Sequence, residues 1–433
     1  MSRCRAAAGS VDLRPVVGAR LTGFAARLEP SVGVHDPLLA RLLLLDDGSI
    51  RLLWVSCDLI GFDPDDDAEL RRRLGAALSI PAANVLVSCT HTHSGPCSMP
   101  FRGPLAGADR AWLGRGLDSI VETSASLVGR LRPARLAHAT ETVSGIGYNR
   151  QDGTSPIDER LLVAQFRADD GAVIATILNY ATHPVVLGPT NLQFSGDYAG
   201  YTARLVEQQV GGVALFVQGS AGDVNPAIFR DHDRDAGTFE VAEQMGRTLA
   251  TAAKRTIMRA AARSDVGIVL AQSTVEVPLA PPPSGDELAA MRSEWERQRA
   301  TSETSDEGRF ALFQLAWGDE LQRAMTHGTV PGALSVHLFA ARIGDLLVVT
   351  FPLEIYSEIG LALRRSAAPR PLIVAGYTNG LLGYAPTDLA IDQGGYGPAL
   401  SYRFFPRLLT PLARGSAQLL TRAATELLVV LNR

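Results

Sequence analysis

Lysine is almost missing from this chain. Lys254 is the only one in 433 residues, so arginine makes up nearly all of the Lys+Arg total of 41, against 45 acidic residues and a formal net charge of −4. There is no lysine-rich tail, basic stripe or nucleic-acid motif, and so no electrostatic footprint of a DNA or RNA binder. No nucleic-acid partner is expected. Cysteine is scarce as well: Cys4, Cys57, Cys89 and Cys97 show no CxxC spacing, which removes the disulfide-framed small scaffold from consideration. Cys57 and Cys89 read as small buried hydrophobes, and Cys97 as a pocket-lining residue. No run approaches the roughly 18 apolar residues of a membrane span. The first residues lack the apolar stretch of a signal peptide. The expectation is a cytoplasmic protein with no integral membrane segment.

What is present is a core's worth of apolar sequence, 46% hydrophobic against 20% charged. A strand-like opening is expected over 10–27. Strands follow near 39–45, 51–57, 136–144, 161–167, 172–179 and 213–218, then 266–277, 334–343, 345–351 and 372–376. Helices are expected over 65–78, 109–131, 199–209 with Asp197 as its cap, 238–262 and 412–427, with one more running to 365. A proline-rich linker opens a charged helical excursion at about 281–327, with a polar break over 301–308. The fold class expected is α/β, one large domain over 1–433 with central mixed β-sheets flanked by helices.

The chemistry concentrates where apolar strands end. The run over 85–89 delivers His91 and His93 and then breaks at Ser94-Gly95-Pro96. On an extended backbone, positions i and i+2 share a side, so both imidazoles are expected to face one pocket. A second apolar strand ends at His183-Pro184, and a third leads to Glu354. Two imidazoles and a carboxylate satisfy zinc and leave a position for water. His35, His138, His232, His327 and His337 read as structural. Asp58, Asp197 and Asp223 read as caps and orienting groups.

Five segments occur in an order that resembles the catalytic domain of the neutral (non-lysosomal) ceramidases. They are 90–96 around His91 and His93, 179–184 ending at His183-Pro184, 196–200, 218–226 (Gln-Gly-Ser-Ala-Gly-Asp-Val-Asn-Pro), and 378–387 around Tyr384. The resemblance implies zinc-dependent amidases that cleave an N-acyl bond. It implies one Zn²⁺ per chain on His91, His183, Glu354 and Tyr384, and catalytic roles for His93, Arg150 and Tyr396. Tyr384 as a ligand comes from the resemblance alone. The chain departs from the family at Asn225, where members carry serine, and at Gly397, which replaces an acidic residue. The secreted members' immunoglobulin-like C-terminal domain is not expected within this sequence.

The function these readings imply is a zinc-dependent amidohydrolase. Metal-bound hydroxide would cleave the amide of a small soluble substrate, with His93 moving the proton or donating to the oxyanion, Arg150 binding a substrate carboxylate or the developing charge, Tyr396 completing the donor set, and Asn225 donating without attacking. A metal-dependent pathway enzyme performing acyl transfer or cyclisation on a small metabolite is the alternative. A non-catalytic metal-binding protein is the second.

Overall fold

The computed structural model describes residues 4–25, 27, 29–103, 109–230, 233, 236–301 and 305–432. His232 and part of the polar break over 301–308 lie outside the described residues. Among those described, two sheets share one apolar core, to which Leu43, Trp54, Phe166 and Ile177 contribute from the first sheet and Phe339, Ile343 and Val348 from the second. Helices cover the outer faces. Pro64–Leu78 and Arg110–Leu127 bury Leu70, Leu74, Trp112 and Ile120 against the first sheet. This is the mixed-sheet α/β architecture expected.

The first sheet has eight strands, running in space from Val213–Gln218 through Val173–Tyr180, Arg160–Ala168, Arg132–Thr142, Arg5–Asp12, Leu39–Asp46 and Arg51–Cys57 to Val85–Cys89. Its interior pairs are antiparallel and the pair at each edge is parallel. The two halves meet where Arg5–Asp12 and Arg132–Thr142 pair over two residues only. Such a short ladder acts as a hinge, and the halves fold towards each other: the Ser56 hydroxyl of one donates to the Phe216 carbonyl of the other at 2.6 Å. Strand ends that are farthest apart in the pairing order are thereby brought together.

Each parallel edge pair is joined through a helix. Pro64–Leu78 starts where Asp63 accepts from the Asp65 amide, with Pro64 pre-set for the first turn and three acidic residues following. Asp197–Val210 makes the other crossover. The second sheet, Ile268–Pro278, Ala333–Ile343, Leu346–Thr350 and Leu372–Ala375, is antiparallel until its last, parallel pair.

Several expectations are corrected. The opening strand is Arg5–Asp12 and the described residues between 13 and 32 are irregular, with Gly18 and Gly23 at positive φ. Asp197 lies inside its helix, which Gly196 precedes as the cap position; the carboxylate accepts instead from the Tyr198 and Leu187 amides. The helix expected over 238–262 ends at Ile257. The excursion forms Gly285–Thr301 and Asp306–His327, which bury Trp295, Phe313 and Trp317 against the second sheet. No helix among the described residues is long and apolar enough to cross a membrane.

Candidate active site

Three parallel strand pairs point their C-terminal ends at one place, and the donors sit just past those ends. His91 follows Val85–Cys89, His183 follows Val173–Tyr180, and Glu354 and Tyr384 follow the last pair of the second sheet. Glu354–Ile355 and Tyr384–Ala385 form a two-residue parallel ladder in which Glu354 lies opposite Tyr384. Gln218, ending the edge strand, donates its side-chain amide to the carbonyls of Thr90 at 3.3 Å and Thr182 at 2.7 Å. Those are the residues immediately before the two histidines.

The extended-strand argument for His91 and His93 does not describe their geometry. The strand stops at Cys89, and His91 has φ +69°. The rings converge through this turn all the same, with their Nε2 atoms 3.3 Å apart. Ring nitrogens of His91, His93 and His183 lie within 4.8 Å of one another, so His93 stands within ligand range beside the position read as proton transfer.

The donor set fits a cation. His91 Nδ1 lies 2.7 Å from the Ile60 carbonyl and His183 Nδ1 2.5 Å from that of Ala221. A carbonyl only accepts, so each Nδ1 carries the proton and each Nε2 presents a lone pair. Glu354 Oε2 lies 3.0 Å from the Nε2 of His183 and 3.4 Å from that of His91. Burial, then the nearby Arg150, pushes the His183 imidazole down to about 4. Burial would raise the Glu354 carboxyl, but its histidine neighbours outweigh that and hold it well below the carboxylate range. The His183 Nε2 lone pair and the Glu354 carboxylate are thus packed together, with His91 Nε2 3.4 Å from the same oxygen. A metal ion resolves that arrangement.

Arg150 closes the site from the other side. It donates to the Tyr384 phenol oxygen at 3.0 Å, to the Gly222 carbonyl at 2.8 Å and to Asn225 Oδ1 at 3.3 Å. Burial pulls its guanidinium down, but Tyr384 and Glu354 outweigh it and keep the charge. The Tyr384 hydroxyl is 3.5 Å from His183 Nε2. Tyr396 stands at the rim, exposed, its ring centroid 6.0 Å from that of Tyr384.

His91, His93, Glu354, Tyr384 and Tyr396 line a cavity of about 50 Å³, inside about 490 Å³ of empty space that includes the open mouth. The remaining walls are mostly apolar, with Ile60, Phe101, Phe313, Phe404 and Phe405 among them. Cys97 is not among the lining residues; its thiol donates to the Met99 carbonyl.

Sequence reasoning missed Gly23, Arg27, Gln218, Phe313 and Tyr377. Arg27, 2% exposed, donates to the carbonyls of His93 and Thr22. Tyr377 tilts over His91 with ring centroids 4.3 Å apart. Gln218 opens the segment 218–226 that carries the resemblance, which could have marked it; the others act on segments distant in the chain and carry no local signal.

Residues 7–256 match the neutral/alkaline non-lysosomal ceramidase N-terminal family model. The chain is 27% identical over 236 residues to neutral ceramidase B of Dictyostelium discoideum, covering 48% of this chain and 33% of that protein. It is 26% identical over 240 residues to the neutral ceramidase of Mycobacterium tuberculosis, covering 48% of this chain and 38% of that one. The chain thus spans about a third of the length of these relatives. Its fold matches the crystal structure of the neutral ceramidase from Pseudomonas aeruginosa with a TM-score of 0.74 at 19% identity, over 100% of this chain and 75% of that one. With the family model matching more than half of its residues, this chain belongs to the neutral/alkaline non-lysosomal ceramidases.

Proposed function

We propose that the protein is a zinc-dependent amidohydrolase that cleaves the N-acyl bond of an amide carrying an apolar acyl group. One observation carries the reading: a buried cluster in which the Glu354 carboxylate lies 3.0 Å from His183 Nε2 and 3.4 Å from His91 Nε2 sits beside an otherwise apolar, aromatic-walled pocket. Family membership and the relatives named neutral ceramidase support the amide as the bond cleaved and a lipid amide as its class. His91, His183 and Glu354 would hold the zinc, with the Tyr384 oxygen beside them. When bound, zinc supplies a Lewis acid and an activated water.

The chain's own groups divide the remaining work. His93 is kept neutral by burial and by the neighbouring imidazoles, and in this reading its ring takes up a proton and returns it to the leaving amine. The Arg150 guanidinium stabilises charge developing on the carbonyl oxygen. Asn225 Oδ1 accepts from Arg150, which turns the side-chain NH₂ into the donor edge. Tyr396 at the rim contacts the amine portion. Because Asn225 cannot attack, a serine-dependent step is not available there.

Metal analysis of the purified protein tests the proposal, with His91→Ala and Glu354→Ala alongside. About one zinc per chain is expected, lost in both variants, with N-acyl amide hydrolysis abolished by a chelator. A wild type that takes up no metal when zinc is resupplied overturns it.

A further inference from the structure

The aromatic wall opposite the metal donors comes from three stretches distant in sequence, and one guanidinium ties them together. Phe101, Phe313, Phe404 and Phe405 supply the rings, with Phe313 and Phe404 centroids 5.1 Å apart and Phe101 and Phe405 5.8 Å apart. Arg102 follows Phe101 and is 5% exposed. Its Nη1 donates to the carbonyls of Tyr402, Arg403, Phe405 and Leu408 at 3.2, 3.3, 2.6 and 2.9 Å. Its Nη2 donates to the Pro406 carbonyl at 3.0 Å, and its Nε to the Glu320 carboxylate at 2.5 Å. The Arg102 backbone amide donates to the Phe404 carbonyl at 2.9 Å. One side chain thus gathers the 402–408 loop, the helix Asp306–His327 and the segment carrying Phe101.

The physics runs both ways. A buried cation persists only if it is neutralised and hydrogen-bonded, and five carbonyl dipoles with one carboxylate meet both needs. Conversely, those carbonyls point at one another and hold that curl only while a donor sits between them. Lysine cannot replace the planar fork, because a single ammonium placed where Nη1 sits gives up the Pro406 carbonyl held by Nη2 and the Glu320 carboxylate held by Nε. Loss of the fork would let the loop carrying Phe404 and Phe405 open, and the wall would lose its shape without any change to a metal donor.

We infer that Arg102 is a positioning residue that sets which acyl groups the pocket accepts; this rests on the N-acyl amidohydrolase reading. Longer acyl groups touch more of the wall, so they feel its displacement most.

The test is Arg102→Lys, with Glu320→Gln as a milder break that keeps the guanidinium and carries the comparison if the first variant fails to fold. Each is assayed on amides of one amine from N-acetyl to N-dodecanoyl, with zinc content and circular dichroism alongside. The ratio of kcat/KM for dodecanoyl over acetyl is expected to fall about tenfold in Arg102→Lys and about twofold in Glu320→Gln, through KM and with zinc retained. An unchanged ratio, or an equal fall at every length, overturns the inference. If the wild type hydrolyses no amide of the series, the functional reading fails, and calorimetric binding of dodecanoate decides the inference alone. Weaker binding by the variants upholds it; equal binding, or none by the wild type, overturns it.

Discussion

Gly23 lies flat against the His93 ring: a β-carbon added there would sit 2.4 Å from the ring's Cγ and 2.5 Å from its Nδ1. The ring is buried, and Arg27 pins the backbone carbonyl of the same residue, so it has little room to yield. Gly23 also has φ +103°, which disfavours any side chain. Gly23→Ala is expected to lower kcat/KM on the order of a hundredfold by displacing His93. In a His93→Ala background the same change should cost several-fold less, because its target is gone. Equal losses in the two backgrounds would show that Gly23 acts on the fold and not on the ring.

Gln218 sets the spacing of His91 and His183 through the carbonyls just before them. Gln218→Met keeps the length of the side chain and removes both donors. Zinc affinity should fall roughly ten- to a hundredfold, the usual cost of losing a group that orients ligands. Competition with a fluorescent chelator measures this directly. An unaltered affinity would mean that the folded sheet halves hold the histidines without this amide.

Arg150 makes three separate hydrogen bonds, to Tyr384, Gly222 and Asn225. Arg150→Lys keeps a charge but cannot satisfy all three from one ammonium. A loss of about 10²–10³ in kcat is expected, with zinc content unchanged, as for removal of a preorganised oxyanion donor. Steady-state kinetics beside metal analysis separates this from damage to the metal site; a kcat near wild type would exclude Arg150 from charge stabilisation.

The strands were legible because local signals suffice for them. The apolar runs closed by Asp46-Asp47-Gly48 and by Asp169-Asp170-Gly171 fold as the hairpins they suggest. The strand-end histidines and Glu354 were legible as candidates because a polar group after an apolar strand and before a breaker is conspicuous. How they meet was not. His91 and His93 converge through a left-handed residue rather than along a strand, and His91 meets His183 because the sheet hinges at a two-residue ladder. Nothing in either segment encodes that hinge. Gly23 and Phe313 were invisible for the same reason, since the surroundings that give each its role come from elsewhere in the chain.

Asp67 is buried in the first helix, 2% exposed, with Oδ1 lacking a partner and Oδ2 3.6 Å from Arg71. Burial pushes its carboxyl up to about 7, with Arg71 opposing only in part. In the unfolded chain an aspartate titrates near 4. Below about pH 4 both states are protonated, and the residue costs nothing. Between about 4 and 7 the folded state holds a proton that the unfolded state has lost, so stability falls as pH rises. Above 7 both states are ionised and the full penalty, on the order of 4 kcal/mol, applies. Asp67→Asn keeps the shape and never carries the charge. Its advantage over wild type should therefore be near zero at pH 4, intermediate at pH 5.5 and largest at pH 8. Urea unfolding at those three values reads the difference, and a difference independent of pH would mean that Asp67 is already neutralised by a group the helix surface does not supply.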